Sequence, residues 1–217
     1  MSVKFNKNGI VSAPYGFSDC GLIEDMKIKT LGDGSVWARV FYHNCVGGTV
    51  LFTSAAEVLN TQTTNKYSRL YMLDQFKASD NKFEFMLCYP DDTTSYNRWK
   101  QSNNPCNEYV TPTTEGTANA AGYEAISIAW STNYWGGLTR QNSNPNTVSN
   151  SYLSGSVGHA NYFYAIGSYS AFKTGIPSYG SSTATVVELW VRTDTVSKSK
   201  QLKISNNYIL ANDFIEL

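Results

Sequence analysis

The chain has 217 residues, enough for one large all-β domain with a sizeable core that needs no metal or disulfide framework. Lys plus Arg and Asp plus Glu number 17 each, so the formal net charge is zero, and only 16% of residues are charged. That balance argues against nucleic acid as a partner, because phosphate binding needs a basic patch, and it leaves no charge barrier to self-association.

No stretch reaches the ~18 consecutive apolar residues of a membrane span. Met1 is followed by Ser-Val-Lys-Phe-Asn-Lys, without a basic-then-apolar leader pattern. The expectation is no membrane insertion, and a cytosolic product, a mature form or a protein released by lysis.

The two ends match each other. Val3-Lys4-Phe5-Asn6-Lys7-Asn8-Gly9-Ile10-Val11 aligns with Leu202-Lys203-Ile204-Ser205-Asn206-Asn207-Tyr208-Ile209-Leu210. Each reads as apolar-Lys-apolar, an Asn-containing turn, then two apolar residues, which predicts a small β-hairpin at each end. An isolated hairpin is marginal in water, so each needs a partner surface. This divides the chain into an N-terminal attachment segment (1–20), a β-sandwich domain (21–197) and a C-terminal hairpin segment (198–217).

Within the domain, 22–31 is a strand candidate, Gly32-Asp33-Gly34 a turn, and 35–43 a returning strand with Val36, Ala38 and Val40 alternating. A break at Cys45-Val46-Gly47-Gly48 precedes a resumed strand at 49–53. Ser54-Ala55-Ala56-Glu57-Val58-Leu59-Asn60 is the one helix-like stretch, with Ser54 as its cap. Residues 67–76 and 82–89 form a strand pair around Ser79-Asp80-Asn81. In the second arm Phe83, Phe85 and Leu87 point one way and Glu84 and Met86 the other. A short strand at 97–101 carries Trp99, and 102–122 is a long Asn/Thr/Pro/Gly-rich loop of the kind that tends to be functional. In 123–130, Ile126, Ile128 and Trp130 share a face. A polar loop at 141–151 follows Tyr134-Trp135-Gly136-Gly137-Leu138. The clearest strand is 185–193, with Val187, Leu189 and Val191 toward the core and Glu188, Trp190 and Arg192 on the other face. Short strands at this spacing with little helix signal predict an all-β, jelly-roll-like β-sandwich with short terminal β-hairpin attachments.

The stretch from 155 to 180, GSVGHANYFYAIGSYSAFKTGIPSYG, interleaves aromatic rings with Asn, Ser and Thr. Sandwich core is the bland reading for most of these rings; rigid rings beside small polar groups also make recognition surfaces. For carbohydrate, a ring stacks on the C–H face of a sugar while amides and hydroxyls bind its OH groups. Trp99 with Gln101, Asn103 and Asn104 fits that chemistry, as do Trp135, His159, Asn161, Tyr162, Tyr169 and Tyr179. The competing role for Trp99 and Trp135 is to anchor loops to the core, and for His159 a hydrogen-bonded structural histidine. Trp190 between Glu188 and Arg192 reads as a cation–π stack on a sheet face.

Glycan hydrolysis needs paired carboxylates. The pool is Asp91, Asp92, Glu108, Glu115, Glu124 and Glu188; the adjacent aspartates face opposite ways on an extended chain and the others are scattered. No GxSxG, P-loop or dinucleotide motif occurs. Asp91, Asp92, Asn97 and the 142–146 loop offer calcium-type oxygens without EF-hand spacing, and read as turn residues. Cys20, Cys45, Cys88 and Cys106 allow three pairings, lack CxxC and any close zinc-ligand pair, and are expected as free thiols in a reducing cytosol. No catalytic residue, metal or cofactor is expected.

Two resemblances add to this reading. Phe5-Asn6-Lys7-Asn8-Gly9-Ile10 and Tyr208-Ile209-Leu210-Ala211-Asn212-Asp213-Phe214-Ile215-Glu216 resemble segments of bacteriophage head- and tail-fibre proteins, over about a tenth of the chain. Residues 95–194 resemble a β-sandwich module of phage fibres and secreted animal proteins. The residues that carry it are Asn97-Arg98-Trp99-Lys100-Gln101-Ser102-Asn103-Asn104-Pro105, Trp135-Gly136-Gly137-Leu138, Tyr164-Ala165-Ile166-Gly167, Gly175-Ile176-Pro177 and Val187-Glu188-Leu189-Trp190-Val191-Arg192. The resemblance implies a virion appendage made in the host bacterial cytoplasm, often a homotrimer, with other virion proteins as partners. The expected function is non-enzymatic host-surface attachment, with a surface glycan as ligand. The alternatives are a virion-associated glycan-degrading hydrolase and a purely structural decoration protein.

Overall fold

The computed structural model describes residues 4–5, 11–12, 26–48, 50–107, 119–141, 151–157, 162–170 and 175–194. Strands β1 (Lys4–Phe5) and β2 (Val11–Ser12) pair antiparallel, with Phe5 opposite Val11. The matching segment at 202–210, and the whole of 198–217, lie outside the described residues.

The main body is all-β and sandwich-like. In chain order it runs β3 (Ile28–Thr30), β4 (Val36–Asn44), helix α1 (Ala55–Leu59), β5 (Thr61–Gln62), β6 (Lys66–Ser68), a 3₁₀ helix η1 (Leu70–Phe76), β7 (Phe83–Cys88), β8 (Tyr96–Gln101) and β9 (Glu124–Ile128). Then come β10 (Trp135–Arg140), β11 (Ser151–Ser156), β12 (Ile166–Ser168), β13 (Ile176–Pro177), β14 (Thr183–Ala184) and β15 (Val186–Arg192). The large antiparallel sheet has the order β5-β6-β4-β15-β7-β8-β9, and β3 shares the edge of β4 with β6. Opposite it stand β10-β11-β12 and the β13-β14 hairpin. Main-chain bonds from Ala165 N–H to the Pro177 carbonyl and from Phe52 N–H to the Ser168 carbonyl, both 2.9 Å, knit this second layer together.

Local chemistry explains much of this. The Ser54 side chain accepts from Glu57 N–H at 3.2 Å and caps α1, while Glu57 reaches back to Thr53 N–H at 2.8 Å. Gly34 at φ +80 closes the turn at 32–34, where Asp33 accepts from Ser35 N–H at 3.0 Å. Phe83, Phe85 and Leu87 enter the core, as do Val187, Leu189 and Val191.

Five local expectations need correction. The first arm expected over 67–76 is strand only at Lys66–Ser68, then becomes η1. Leu70, Leu73 and Phe76 recur every three residues and all are buried, which is the 3₁₀ period rather than the strand period of two. The strand at 35–43 does not alternate throughout. Register with β15 slips between Leu189 and Trp190, so Val40 and Phe41 are both buried and the inward set changes from Ala38 to Phe41 and His43. Residues 50–53 form no strand, although Phe52 is buried. The polar loop expected at 141–151 needs correction at its last residue, since Ser151 already belongs to β11, whose Tyr152 and Leu153 are core, while 142–150 lie outside the described residues. Finally, β9 is a sheet edge: Ile126 is 45% exposed, at the register shift between β8 and β9.

Candidate functional site

The residues expected to bind ligand separate into three groups. Trp99 and Gln101 are wholly buried, and Trp135 and Tyr169 nearly so. Trp99 therefore presents no face to a sugar. It packs edge-on against Trp135 at 4.8 Å and across Phe85 at 5.5 Å, joining the two sheets. Its indole N–H donates to Gln101 Oε1 at 2.8 Å, and Gln101 donates to the carbonyls of Asn103 and Leu138, both 3.0 Å. Glycines make room for this arrangement: Gly137 holds φ +94 in the β10 irregularity, and a Cβ on Gly155 would lie 2.4 Å from the Trp135 ring. Tyr162 is half-buried, with its hydroxyl 3.1 Å from Ser170 Oγ. His159 and Asn161 lie outside the described residues. Asn103, Asn104 and Tyr179 remain at the surface, at opposite ends of the sandwich.

The end that carries Tyr179 is the better-built site. Three connections converge there: the turn after β7, the link from β9 to β10, and the β13-β14 hairpin. Trp130 and Tyr179 stack face to face at 4.6 Å with 8° between their planes, and Tyr89 meets Trp130 edge-on at 5.2 Å. Buried Asn97 clamps the Trp130 main chain, accepting from its N–H at 2.9 Å and donating to its carbonyl at 2.8 Å. With its amide turned to suit, Asn133 accepts from Gly180 and Ser181 N–H, both at 3.0 Å. Asn133, Tyr134 and Ser181 hold φ of 51, 57 and 60, conformations that cost energy and cluster at functional sites. Tyr134 is 44% exposed.

Polar groups ring this aromatic platform. The Tyr179 hydroxyl donates to Asp92 Oδ2 at 2.5 Å, and Thr185 Oγ1 donates to Asp91 Oδ2 at 2.9 Å. The bond to Asp92 raises the Tyr179 pKa. Burial pushes Tyr164 up to about 12 and Tyr89 well above the usual phenol value, so both stay neutral, and Tyr164 donates to the Thr132 carbonyl. Among the described residues the buried Tyr89 hydroxyl has no hydrogen-bond partner. The whole is a rigid aromatic surface edged by two carboxylates and several hydroxyls, able to stack a ring and bind its OH groups.

Other candidate chemistry fares differently. Glu188 is closed by Arg39 at 2.7 Å and Glu124 by Lys82; Glu108 and Glu115 lie outside the described residues. The cation over Trp190 is Lys29, at 4.1 Å, rather than Arg192, which pairs with Glu84 and Asp194. Cys45 lies 3.4 Å from His43 Nε2, a pairing invisible to motif reading. Burial raises the Cys45 thiol and lowers His43 to about 4, the reverse of an activated nucleophile. Among the described residues, Cys45, Cys88 and Cys106 are free thiols and no group of three or more His, Cys, Asp or Glu is placed to hold a metal ion. Also among the described residues, no helix is long and apolar enough to cross a membrane.

Sequence reasoning names Tyr179 as a ligand-binding candidate, weighs Asp91 and Asp92 only as hydrolase carboxylates or calcium-type oxygens, and misses Trp130, Tyr134 and Asn97 as neighbours of Tyr179. Alternation through 123–130 puts Trp130 on a strand face; the strand ends at Ile128 instead, and the loop turns the ring toward Tyr179. Comparison with known proteins finds no matching family model, no matching curated protein and no matching solved structure.

Proposed function

We propose that this chain is a non-enzymatic attachment protein that binds a surface glycan through its aromatic loop end. In this reading it is a component of a phage head or tail fibre, or a decoration protein of the particle, assembled as a homotrimer with other virion proteins. The observation that carries the glycan reading is the Trp130–Tyr179 stack, locked among three connections beside exposed Tyr134 and the Asp91 and Asp92 carboxylates. Rigid tyrosine and tryptophan with adaptable polar neighbours give contact area at low entropic cost. The appendage reading rests on the residue resemblance and on zero net charge. Several weak sites on one trimer gain avidity when they engage together.

The test is binding of purified protein to a glycan array and to intact host-type cells, with Tyr134→Ala and Tyr179→Ala as variants. Binding should fall at least tenfold in both while the thermal midpoint of Tyr134→Ala stays unchanged. Release of reducing ends from a bound glycan would replace this reading with the hydrolase. A folded protein that binds no glycan and no cell, yet is required for intact particles, would replace it with pure decoration. Light scattering reads the trimer directly; a monomer at micromolar concentration removes that part.

A further inference from the structure

The aromatic end carries charge of one sign only. Three connections build it, 89–95, 129–134 and 178–185, and their only charged side chains are Asp91 and Asp92. Adjacent residues on an extended strand point apart, but these two sit in a turn. Asp92 N–H and Thr93 N–H both return to the Tyr89 carbonyl, at 3.0 and 3.1 Å. The turn sets both carboxylates against the chain that forms and leaves the β13-β14 hairpin, Asp92 on the Tyr179 hydroxyl and Asp91 on that of Thr185.

Both of those donors are neutral. Each fills one oxygen, Oδ2, and leaves the charge uncompensated; among the described residues neither aspartate forms an ion pair. Asp33, Asp80 and Asp194 are also exposed, yet each holds an Arg or Lys. The rings repeat the contrast. On the outer sheet face the chain supplies its own cations, Lys29 over Trp190 and Arg98 over Trp37, whereas no cation of the described residues lies over Trp130 or Tyr179. Behind the stack, Tyr89 is wholly buried and its hydroxyl has no hydrogen-bond partner among the described residues. The groups that act on it electrostatically include Tyr164, Tyr179 and Asp92, none of them a cation.

Two like charges on one corner repel each other and any anion, so an acidic sugar is disfavoured there and a cation favoured. A metal ion lacks donors: among the described residues no group of three or more His, Cys, Asp or Glu is placed to hold one. Resting on the glycan reading of this end, we infer that its ligand is an amino sugar with a free ammonium group, of the hexosamine class. The ammonium takes the open Oδ1 atoms of Asp91 and Asp92, and the sugar ring lies against the Trp130–Tyr179 platform, whose π-faces also favour positive charge. Both carboxylates are exposed, so solvent screening limits the preference to several-fold.

The experiment is a ligand-observed NMR titration of the full chain with glucosamine, N-acetylglucosamine, glucose and tetramethylammonium at about pH 6, where an amine of this kind is charged. Glucosamine should bind at least threefold more tightly than the other two sugars, and 1 M NaCl should erase the difference. The double variant Asp91→Asn, Asp92→Asn keeps an acceptor for Thr185 and for Tyr179 and should bring glucosamine down to the affinity of N-acetylglucosamine. Asp80→Asn makes a one-charge change at the other end of β7, six residues and roughly 20 Å away at about 3.3 Å per residue, and should leave the preference intact. Equal affinity for the three sugars overturns the amino-sugar assignment and leaves the glycan reading standing. A preference that survives the double variant, or that Asp80→Asn erases, overturns it as well. Tetramethylammonium binding as tightly as glucosamine makes the corner a bare cation site and overturns the sugar. No binding of any sugar overturns both the assignment and the reading beneath it. The N-acetyl and salt comparisons decide the matter in the native chain even where the double variant fails to fold.

Discussion

The two faces of the large sheet both bury aromatic residues, by different means. On the inner face Phe83, Phe85, Trp99, Leu189 and Val191 are covered by the second layer of strands. On the outer face Trp37, Met86 and Trp190 form a separate cluster, each no more than 2% exposed, and among the described residues no second sheet lies over them. Their cover is charged. The Arg98 guanidinium lies 5.1 Å over Trp37 and the Lys29 ammonium 4.1 Å over Trp190, while Glu84, itself 3% exposed, binds Arg98 at 2.7 Å and Arg192 at 3.1 Å. Long cationic side chains can cover apolar surface with their stems and rings with their charges. The lesson is that burial marks a ring that has found a lid, and the lid can be another layer or an ion-pair network. The faces should then respond differently to truncation, acid and salt.

The largest effect is expected from Trp99→Ala on the inner face. It removes the indole that bridges the two sheets and leaves Gln101 short of a partner, so stability should fall by about 3–5 kcal/mol. Denaturant unfolding checks this, and the loss should be insensitive to salt. A loss under 1 kcal/mol would mean the bridge between layers is not where the structure puts it.

The second effect also belongs to the inner face. His43 is wholly buried against Phe41 and Phe52, with Cys45, Lys66 and Glu57 around it. Burial, and secondarily the Lys66 charge, lower its pKa from 6.5 to about 4. The folded state thus takes up the proton only below about 4, while the unfolded chain takes it up near 6.5. Stability from neutral His43 is complete above pH 6.5 and is lost as pH falls toward 4, by up to about 3 kcal/mol. The check is the pH dependence of unfolding in the native chain against His43→Phe, which should lack this part of the acid loss. Parallel curves between pH 4 and 6.5 would refute it.

The smallest effect is expected on the outer face. Glu84→Gln keeps shape and hydrogen-bonding capacity but removes the charge shared by Arg98 and Arg192. Because both arginines retain solvent contact, the expected loss is about 1–2 kcal/mol, below the cost of breaking a fully buried pair. The native advantage over Glu84→Gln should shrink in 1 M NaCl. A salt-independent loss as large as that of Trp99→Ala would mean that the outer cluster depends on packing alone, as the inner one does.

The same contrast marks what could be read in advance. The face assignments of β7 and β15 were legible because strand alternation is a local rule, and the α1 cap and the turn at Gly34 because their chemistry is complete within a few residues. The candidate site was legible in its residue types and only partly in its members. Trp99 and Tyr179 carry the same aromatic signal next to the same kinds of polar neighbours. Nothing local separates them, since what buries Trp99 is Trp135, thirty-six positions later in the chain, and what makes Tyr179 half of a platform is Trp130.

By itself the sequence determined an all-β chain of short strands, neutral overall, rich in rings and amides, with its helix, turns and strand faces written in nearest-neighbour chemistry. Tertiary structure decided which rings are core and which are surface, where the β4 and β10 irregularities fall, and that Asn103 and Tyr179 belong to opposite ends of the sandwich. The reason is physical: alternation and capping act over a few residues, whereas burial, register slips and the convergence of loops depend on partners far along the chain, whose positions exist only once the sheets have packed.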